Sequence, residues 1–169
     1  LPNVRIYSPS DHVAAAALFD RCLENTGPKY LRLDAQVLPV LYESVTPDLD
    51  RGFNVHRHGG NICFVATGYM VHTALKVAEL LASEGIQVGV IDLFDISGFA
   101  ADQLQAAIEP YAGIVTMEEG FRGRGGVDAM MFEFIARRGL KTRMLNIGVD
   151  GAYRFELGTR TALQEQVGI

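Results

Sequence analysis

The sequence contains only two cysteines and little excess charge, and each shortage excludes a class of protein. Its 169 residues carry a net charge of −5, whereas nucleic-acid binding requires clustered lysine and arginine. Two cysteines cannot build a disulfide framework, and Cys22 and Cys63 stand in apolar segments typical of small buried side chains. We therefore expect no nucleic-acid partner and no disulfide between Cys22 and Cys63.

The sequence also lacks an apolar run long enough to span a bilayer, and it shows no signal peptide. We therefore expect no membrane partner. The first residue is Leu1 rather than methionine, which suggests a section of a longer chain. Hydrophobic residues make up 49% of the chain and charged residues 21%, so it can fold around a substantial core.

Strand-like and helix-like segments alternate along the chain, which predicts an α/β fold. An irregular stretch at residues 35–52, with two prolines, is interpreted as a linker between residues 1–34 and residues 53–169. The first part is predicted to be a strand, a helix and a strand, with Ser10 as the helix cap. A final short helix is expected to be capped by Thr159 or Thr161.

Residues 53–169 are expected to form a three-layer α/β/α unit around a mostly parallel, five-stranded sheet. Short strand–helix–strand connections predict four parallel strands. Gly59-Gly60 permits a tight reversal, so the strand before it is expected to be an antiparallel edge strand. The five predicted strands are residues 53–58, 61–67, 87–93, 113–117 and 143–149.

A glycine-rich loop, residues 120–126, lies between a predicted strand and a predicted helix, where backbone amides can bind phosphate. Glu118 and Glu119 precede it and no Lys-Ser/Thr follows, so a tight turn is the favoured interpretation. The adjacent glutamates point to opposite faces of a strand, which excludes a paired acid and base. We expect them to form hydrogen bonds or ion pairs at an interface. The candidates at this loop are Glu118, Glu119, Arg122, Gly125 and Gly126.

The other polar residues form no recognisable catalytic or metal-binding pattern. The four histidines lack metal-ligand spacing, and we expect no metal site. Asp92 and Asp95 flank the end of a predicted strand, where carboxylates can serve a ligand or stabilise a turn. Residue chemistry alone therefore predicts an α/β domain without catalytic or cofactor-binding residues.

Several segments resemble the transketolase family. Residues 66–81 (ATGYMVHTALKVAELL), 114–120 (IVTMEEG) and 154–159 (RFELGT) are similar to motifs of that family's C-terminal domain. Residues 1–34 are similar to the last strand–helix–strand unit of its pyrimidine-binding domain, and residues 35–52 to the linker that follows.

The resemblance implies the C-terminal part of a cytoplasmic enzyme that transfers a two-carbon ketol unit. It implies thiamin diphosphate and Mg²⁺ as cofactors of the whole enzyme, held by a GDG…N motif that this chain lacks. This chain alone is therefore expected to bind no cofactor and to be inactive. Its expected role is assembly, as a homodimer or with the missing N-terminal part or subunit.

One position departs from the family pattern. In the family's LxRQxLP motif, an arginine that contacts the substrate phosphate corresponds to Ala35 here. Alanine lacks the guanidinium fork that binds phosphate, so the replacement counts against a sugar-phosphate substrate. Arg32, as a substitute for that arginine, and Gln36 are the candidate substrate-adjacent residues.

Three other interpretations remain open. Arg154, Phe155 and Gly158 are also similar to deoxyxylulose-phosphate synthases. Val71-His72 and residues 118–120 are slightly more similar to the beta subunit of a 2-oxo-acid dehydrogenase. The third alternative is not part of an enzyme. It is a regulatory module that binds a small anion at Gly68 or at the glycine-rich loop.

Overall fold

Strands and helices alternate along the chain, as the periodicity of apolar residues predicts. The computed structural model describes residues 3–169. The elements are β1 (Arg5–Tyr7), α1 (His12–Glu24), β2 (Lys29–Leu31), β3 (Phe53–Arg57), β4 (Ile62–Ala66), α2 (Met70–Ser83), β5 (Val88–Leu93), α3 (Ala101–Ile108), β6 (Gly113–Phe121), α4 (Val127–Arg138), β7 (Arg143–Val149) and α5 (Arg160–Val167).

The main sheet has five strands in the order β3-β5-β4-β6-β7. β4 is parallel to both β5 and β6, and β7 is parallel to β6. β3 runs antiparallel to β5 at one edge. The prediction of a mostly parallel sheet with one antiparallel edge strand is confirmed. Each helical connection returns the chain to the same end of the sheet, and the next strand is therefore parallel.

The reversal at Gly59-Gly60 does not produce a hairpin, because β5 lies between β3 and β4. At Gly59 the chain passes so close to the backbone of Val88 and Gly89 that a Cβ atom would overlap it. Every residue of β5 is buried, whereas β3 is mostly half-buried. A strand buried on both faces takes the interior of the sheet, and the less buried β3 is left at the edge.

Helices cover both faces of the main sheet, which confirms the three-layer arrangement. α3 and α4 pack on one face and α2 on the other. Side chains alternate along β4, so that Cys63 and Val65 belong to the first apolar cluster and Phe64 and Ala66 to the second. The buried central strands therefore contribute side chains to the apolar clusters on both faces of the sheet.

β1, α1 and β2 form a smaller N-terminal unit, residues 5–31, in which β1 and β2 pair in parallel. Two strands and one helix are too few to fold independently. The unit is completed from outside by Phe94, which directly follows β5 and is fully buried. The amide of Ser8 also donates to the Phe94 carbonyl at 2.8 Å. Its apolar cluster comprises Tyr7, Ala14, Leu18, Tyr42 and Phe94.

The N-terminal cap of α1 differs from the prediction. Asp11, not Ser10, caps the helix, and its Oδ1 accepts from the Ala14 amide at 2.8 Å. Its second oxygen accepts from the amides of Leu41 and Tyr42 at 2.7 and 2.9 Å, so one carboxylate serves the helix and the linker. Ser10 Oγ donates instead to Asp92 Oδ2 at 2.5 Å.

The predictions for the α5 cap and for the cysteines are confirmed. Thr159, one of two candidates, caps α5 by accepting from the Ala162 amide at 3.3 Å. Cys22 and Cys63 are both free, as predicted, and burial raises the pKa of the Cys63 thiol to about 12. Among residues 3–169, no helix combines the length and apolar character needed to cross a lipid bilayer.

Candidate functional site

A cleft of about 210 Å³ opens at the carboxyl ends of strands β1, β2, β4 and β6. Ligands of α/β proteins bind at this edge of a sheet. The cleft is smaller than the roughly 300–1,000 Å³ typical of pockets that enclose a whole ligand, so it suits part of one. It is lined by Ser8, Pro9, Arg32, Leu33, Asp34, Ala35, Thr67, Gly68, Tyr69, Glu119 and Arg160.

Arg160, the first residue of α5, links several parts of the cleft wall. Its guanidinium donates to Asp34 Oδ2 at 2.5 Å and to Gln36 Oε1 at 3.1 Å. Its Nε lies 3.0 Å from Glu119 Oε1, and its Cζ lies 4.1 Å from the centroid of the Tyr69 ring. Burial acts to raise the pKa of Asp34, but the hydrogen bond and charge of Arg160, together with the backbone amides of Gln36 and Ala35, outweigh burial and hold that pKa below its ordinary value.

Sequence reasoning missed Arg160. The one available signal is its position directly after the tail motif at residues 154–159. Periodicity gave no such signal, because the partner Gln36 lies 124 residues earlier in the chain.

Arg32 is the second guanidinium of the cleft. Its Nε donates to Ser8 Oγ at 3.2 Å. Unlike Arg160, it makes no ion pair within 4.0 Å among residues 3–169. Ala35 lines the same cleft, so an arginine at that position would lie on its wall. The structure thus brings together Arg32 and Ala35, with Gln36 held at the edge through Arg160.

Glu118 and Glu119 lie on opposite faces of β6, as predicted, although β6 continues to Phe121. Glu119 faces the cleft and also accepts from Gln164 Nε2 at 2.8 Å. Glu118 is buried and accepts from the Asp128 amide at 3.3 Å. Burial raises the pKa of the Glu118 carboxyl, with backbone hydrogen bonds from Asp128 and Val127 opposing the rise.

The glycine-rich loop surrounds the Glu118 carboxylate. A Cβ atom added at Gly120 or Gly126 would overlap that carboxylate. The site at the start of α4, where a phosphate would bind, therefore already holds a side-chain anion. Asp128 adds a second carboxylate and accepts from the Gly123 amide at 2.6 Å.

The remaining loop candidates lie outside the cleft lining. Arg122 pairs with Asp150, and neither Gly125 nor Gly126 lines the cleft. Two carboxylates at the start of α4 would repel an incoming anion. The loop is therefore a tight turn around a carboxylate, and its geometry does not support an anion-binding module there.

Asp92 and Asp95 attach the N-terminal unit to the main sheet. Asp92 is fully buried and accepts from Ser10 Oγ at 2.5 Å and from Tyr42 Oη at 2.9 Å. His56 Nε2 lies 3.8 Å from the same carboxylate. Asp95 pairs with Arg5 at 3.0 Å. Because burial and the nearby Asp92 raise the pKa of Tyr42, its phenol remains a hydrogen-bond donor.

The described residues do not fit a thiamin diphosphate and Mg²⁺ site. No group of three or more His, Cys, Asp or Glu side chains in residues 3–169 is arranged to hold a metal ion. The acidic side chains that line the cleft, Asp34 and Glu119, are both paired with Arg160. A diphosphate-bound Mg²⁺ needs carboxylate and other oxygen ligands that are free to coordinate it.

Comparison with known sequences identifies one family. Residues 52–169 match the family described as "Transketolase, C-terminal domain". The chain is 30% identical to an apulose-4-phosphate transketolase subunit of Actinobacillus succinogenes over 168 residues, covering 99% of this chain and 53% of that protein. It is 32% identical to a 1-deoxy-D-xylulose-5-phosphate synthase of Synechococcus sp. over 157 residues, covering 88% of this chain and 24% of that protein.

Comparison with solved structures also finds a transketolase. A chain described as a split gene transketolase, inactive beta4 tetramer, matches with a TM-score of 0.89 and 27% identity. The match covers 99% of this chain and 54% of that one. The chain thus spans about half the length of the transketolase subunit, 53%, and of this solved chain, 54%.

Proposed function

The chain belongs to the family of transketolase C-terminal domains, and on that premise we propose that it is part of a thiamin-diphosphate-dependent enzyme that transfers a two-carbon ketol unit. The observation that carries the proposal is the relationship to a transketolase subunit over 99% of this chain. The match in fold to a split transketolase, with a TM-score of 0.89, supports the same conclusion.

In this proposal, thiamin diphosphate and Mg²⁺ are bound by the part of the enzyme that completes this chain. The pairing of Asp34 and Glu119 with Arg160 supports that division, because it leaves no free carboxylate on the cleft wall within residues 3–169. The chain contributes to assembly, with that other part and with a second copy of itself. It also contributes a wall of the substrate site through the cleft.

Arg32 is the residue that we assign to the anionic end of the substrate. It lines the cleft, is oriented by Ser8, and makes no ion pair among the described residues 3–169. An arginine offers several donors to a phosphate or similar group, which Ala35 cannot do. The name of the related transketolase indicates a phosphorylated sugar as its substrate. For this chain we propose a short sugar with a terminal anionic group.

The direct test compares the chain alone with the complete enzyme purified from its native host. We expect ketol transfer from the complete enzyme with thiamin diphosphate and Mg²⁺, and none from this chain. Calorimetric titration of the chain alone should show no saturable binding of the cofactor. Micromolar binding, about 8 kcal/mol, would place the cofactor site in this chain and contradict the proposal.

The role of Arg32 is tested in the complete enzyme with Arg32→Gln. The KM for a phosphorylated donor should rise about ten-fold or more, because a charge-assisted bidentate contact is lost. The KM for the dephosphorylated sugar should change little. Arg137→Gln, on the exposed side of α4, is the control. Equal changes for both sugars would exclude Arg32 as the anion contact.

A deoxyxylulose-phosphate synthase is the second candidate, because one such enzyme is 32% identical over 88% of this chain. The two candidates differ in product. Formation of 1-deoxy-D-xylulose 5-phosphate by the complete enzyme, without ketol transfer between sugars, would favour the synthase.

A further inference from the structure

The C-terminal tail has little apolar contact with the rest of the molecule. Residues 150–159 are all exposed, and no residue of α5 is fully buried. Elements are attached to one another mainly by burial of apolar area. Because the tail buries little apolar area, this interaction attaches it only weakly. The position of α5 must then depend largely on directional polar contacts.

Those contacts converge on Arg160. The side chain of Arg160 is 22% exposed and that of its partner Asp34 is 13% exposed, so this ion pair is partly desolvated. Such a pair, which includes charge-assisted hydrogen bonds, holds its geometry better than a fully exposed one. Gln164, one helical turn later, donates to Glu119, which Arg160 also contacts. α5 is therefore fixed to β6 at two successive turns.

Arg160 also determines where the segment after β2 lies. It holds the side chains of Asp34 and Gln36, the two residues on either side of Ala35. Position 35 lines the cleft and has no hydrogen-bonding side chain of its own with which to anchor itself there. Contact with Tyr69 fixes the guanidinium against the start of α2.

We propose that Arg160 is a positioning residue that fixes residues 34–36 and thereby makes the C-terminal tail part of the substrate site. The part of this proposal that concerns the substrate site rests on the proposed function. Arg160 does not itself contact the substrate, because two carboxylates and one amide oxygen occupy its guanidinium. It sets the shape of the wall on which the substrate lies.

The first test uses this chain alone and does not depend on its activity. Amide hydrogen exchange is measured at Gln36, whose amide donates to Asp34 Oδ1 at 2.8 Å, in the wild type, Arg160→Gln, Arg160→Lys and Arg137→Gln. Exchange should be about ten-fold faster or more in Arg160→Gln and unchanged in Arg137→Gln. Arg160→Lys should restore it in part, because an ammonium group retains the charge but not the fork that reaches both carboxylates. Wild-type exchange in Arg160→Gln would overturn the proposal.

The second test uses the complete enzyme. Arg160→Gln should raise the KM for the donor sugar about five-fold or more and leave kcat within about two-fold, because ground-state positioning is lost. An unchanged KM alongside faster exchange would overturn the catalytic part of the proposal. If the wild-type enzyme transfers no ketol unit, the proposed function fails, whereas the exchange rates still decide whether Arg160 positions the segment.

Discussion

The main sheet and the N-terminal unit are held in place by different kinds of interaction. Two apolar clusters, one on each face, pack the sheet between its helices. The N-terminal unit has one small cluster, and that cluster includes Phe94 from the end of β5. Apolar contacts tolerate small shifts, whereas the polar contacts that attach the N-terminal unit require defined distances and angles.

Two buried carboxylates supply several of the polar contacts around the N-terminal unit. Asp11 accepts from three backbone amides, at 2.7 to 2.9 Å, two of which belong to the linker. Asp92 accepts from Ser10 and Tyr42 and therefore joins α1, the linker and β5. The position of the N-terminal unit therefore depends largely on directional bonds, whereas the position of the sheet's helices depends on buried apolar volume.

Leu104→Ala should have the largest effect, because Leu104 is fully buried between α3 and the sheet. The cavity and the lost apolar contact should lower the free energy of unfolding by about 2–5 kcal/mol. Urea unfolding followed by circular dichroism measures this, with Gln103→Ala on the exposed side of the same helix as control. A loss below about 1 kcal/mol would contradict the importance of this cluster.

Asp11→Ala should follow, with a loss of about 2–4 kcal/mol, because it removes the cap of α1 and leaves the buried Tyr42 amide and the partly buried Leu41 amide without an acceptor. Its effect should be regional. Hydrogen exchange should accelerate in α1 and the linker and remain slow in β4 and β5. His12→Ala, at the adjacent exposed position, is the control. Uniform acceleration across the main sheet would mean that the two regions unfold as one.

Tyr42→Phe should destabilise the protein by about 1.5–3 kcal/mol, because the phenol no longer donates to the buried Asp92 carboxylate. The exchange rates of α1 should again respond more than those of the sheet. Tyr30→Phe, on the half-exposed Tyr30 of β2, removes a hydroxyl without a buried partner and serves as control. Equal stability of the two variants would show that the Tyr42–Asp92 bond contributes nothing.

Glu118→Gln should have the smallest effect, and one that depends on pH. Burial raises the pKa of Glu118 above its ordinary value of 4.5, so the folded state holds this proton more tightly than the unfolded state. That contribution to stability is present below pH 4.5 and is lost as pH rises through the folded pKa.

Glutamine has no such proton, and the stability of Glu118→Gln relative to wild type should therefore increase as pH rises from 4.5 towards neutrality. Urea unfolding across that pH range measures the difference. Glu79→Gln, on the exposed side of α2, controls for loss of a carboxylate as such. A relative stability that decreases with rising pH would refute the assignment.

Much of the fold could be predicted because its signals are local. The uninterrupted apolar run in β5 predicts a strand buried on both faces, and all of its residues are buried. The stripe that includes Val71, Ala74 and Ala78 predicts the buried face of α2. The end of β6 was placed too early, because Glu118 and Glu119 look like the start of a loop. One of them is buried only because α4 supplies backbone amides to it.

The cleft was predictable only in part. Arg32 and Gln36 were identified from a family motif, and the structure places Arg32 in the cleft lining and Gln36 against Arg160. The partner that organises them lies at the other end of the chain. No periodic pattern connects residues 124 positions apart, because such a contact depends on how the elements pack.

Local features of the sequence are enough to predict the type of each element, the direction of the strands and the family to which the chain belongs. These follow from the spacing of apolar residues, from connection lengths and from short motifs, all of which are local properties. Three features appear only in the folded chain: β5 separates β3 from β4, Glu118 fills the glycine-rich loop, and Arg160 contacts Asp34. Each of these is a contact between distant segments, and its stability depends on burial and geometry that exist only in the folded chain.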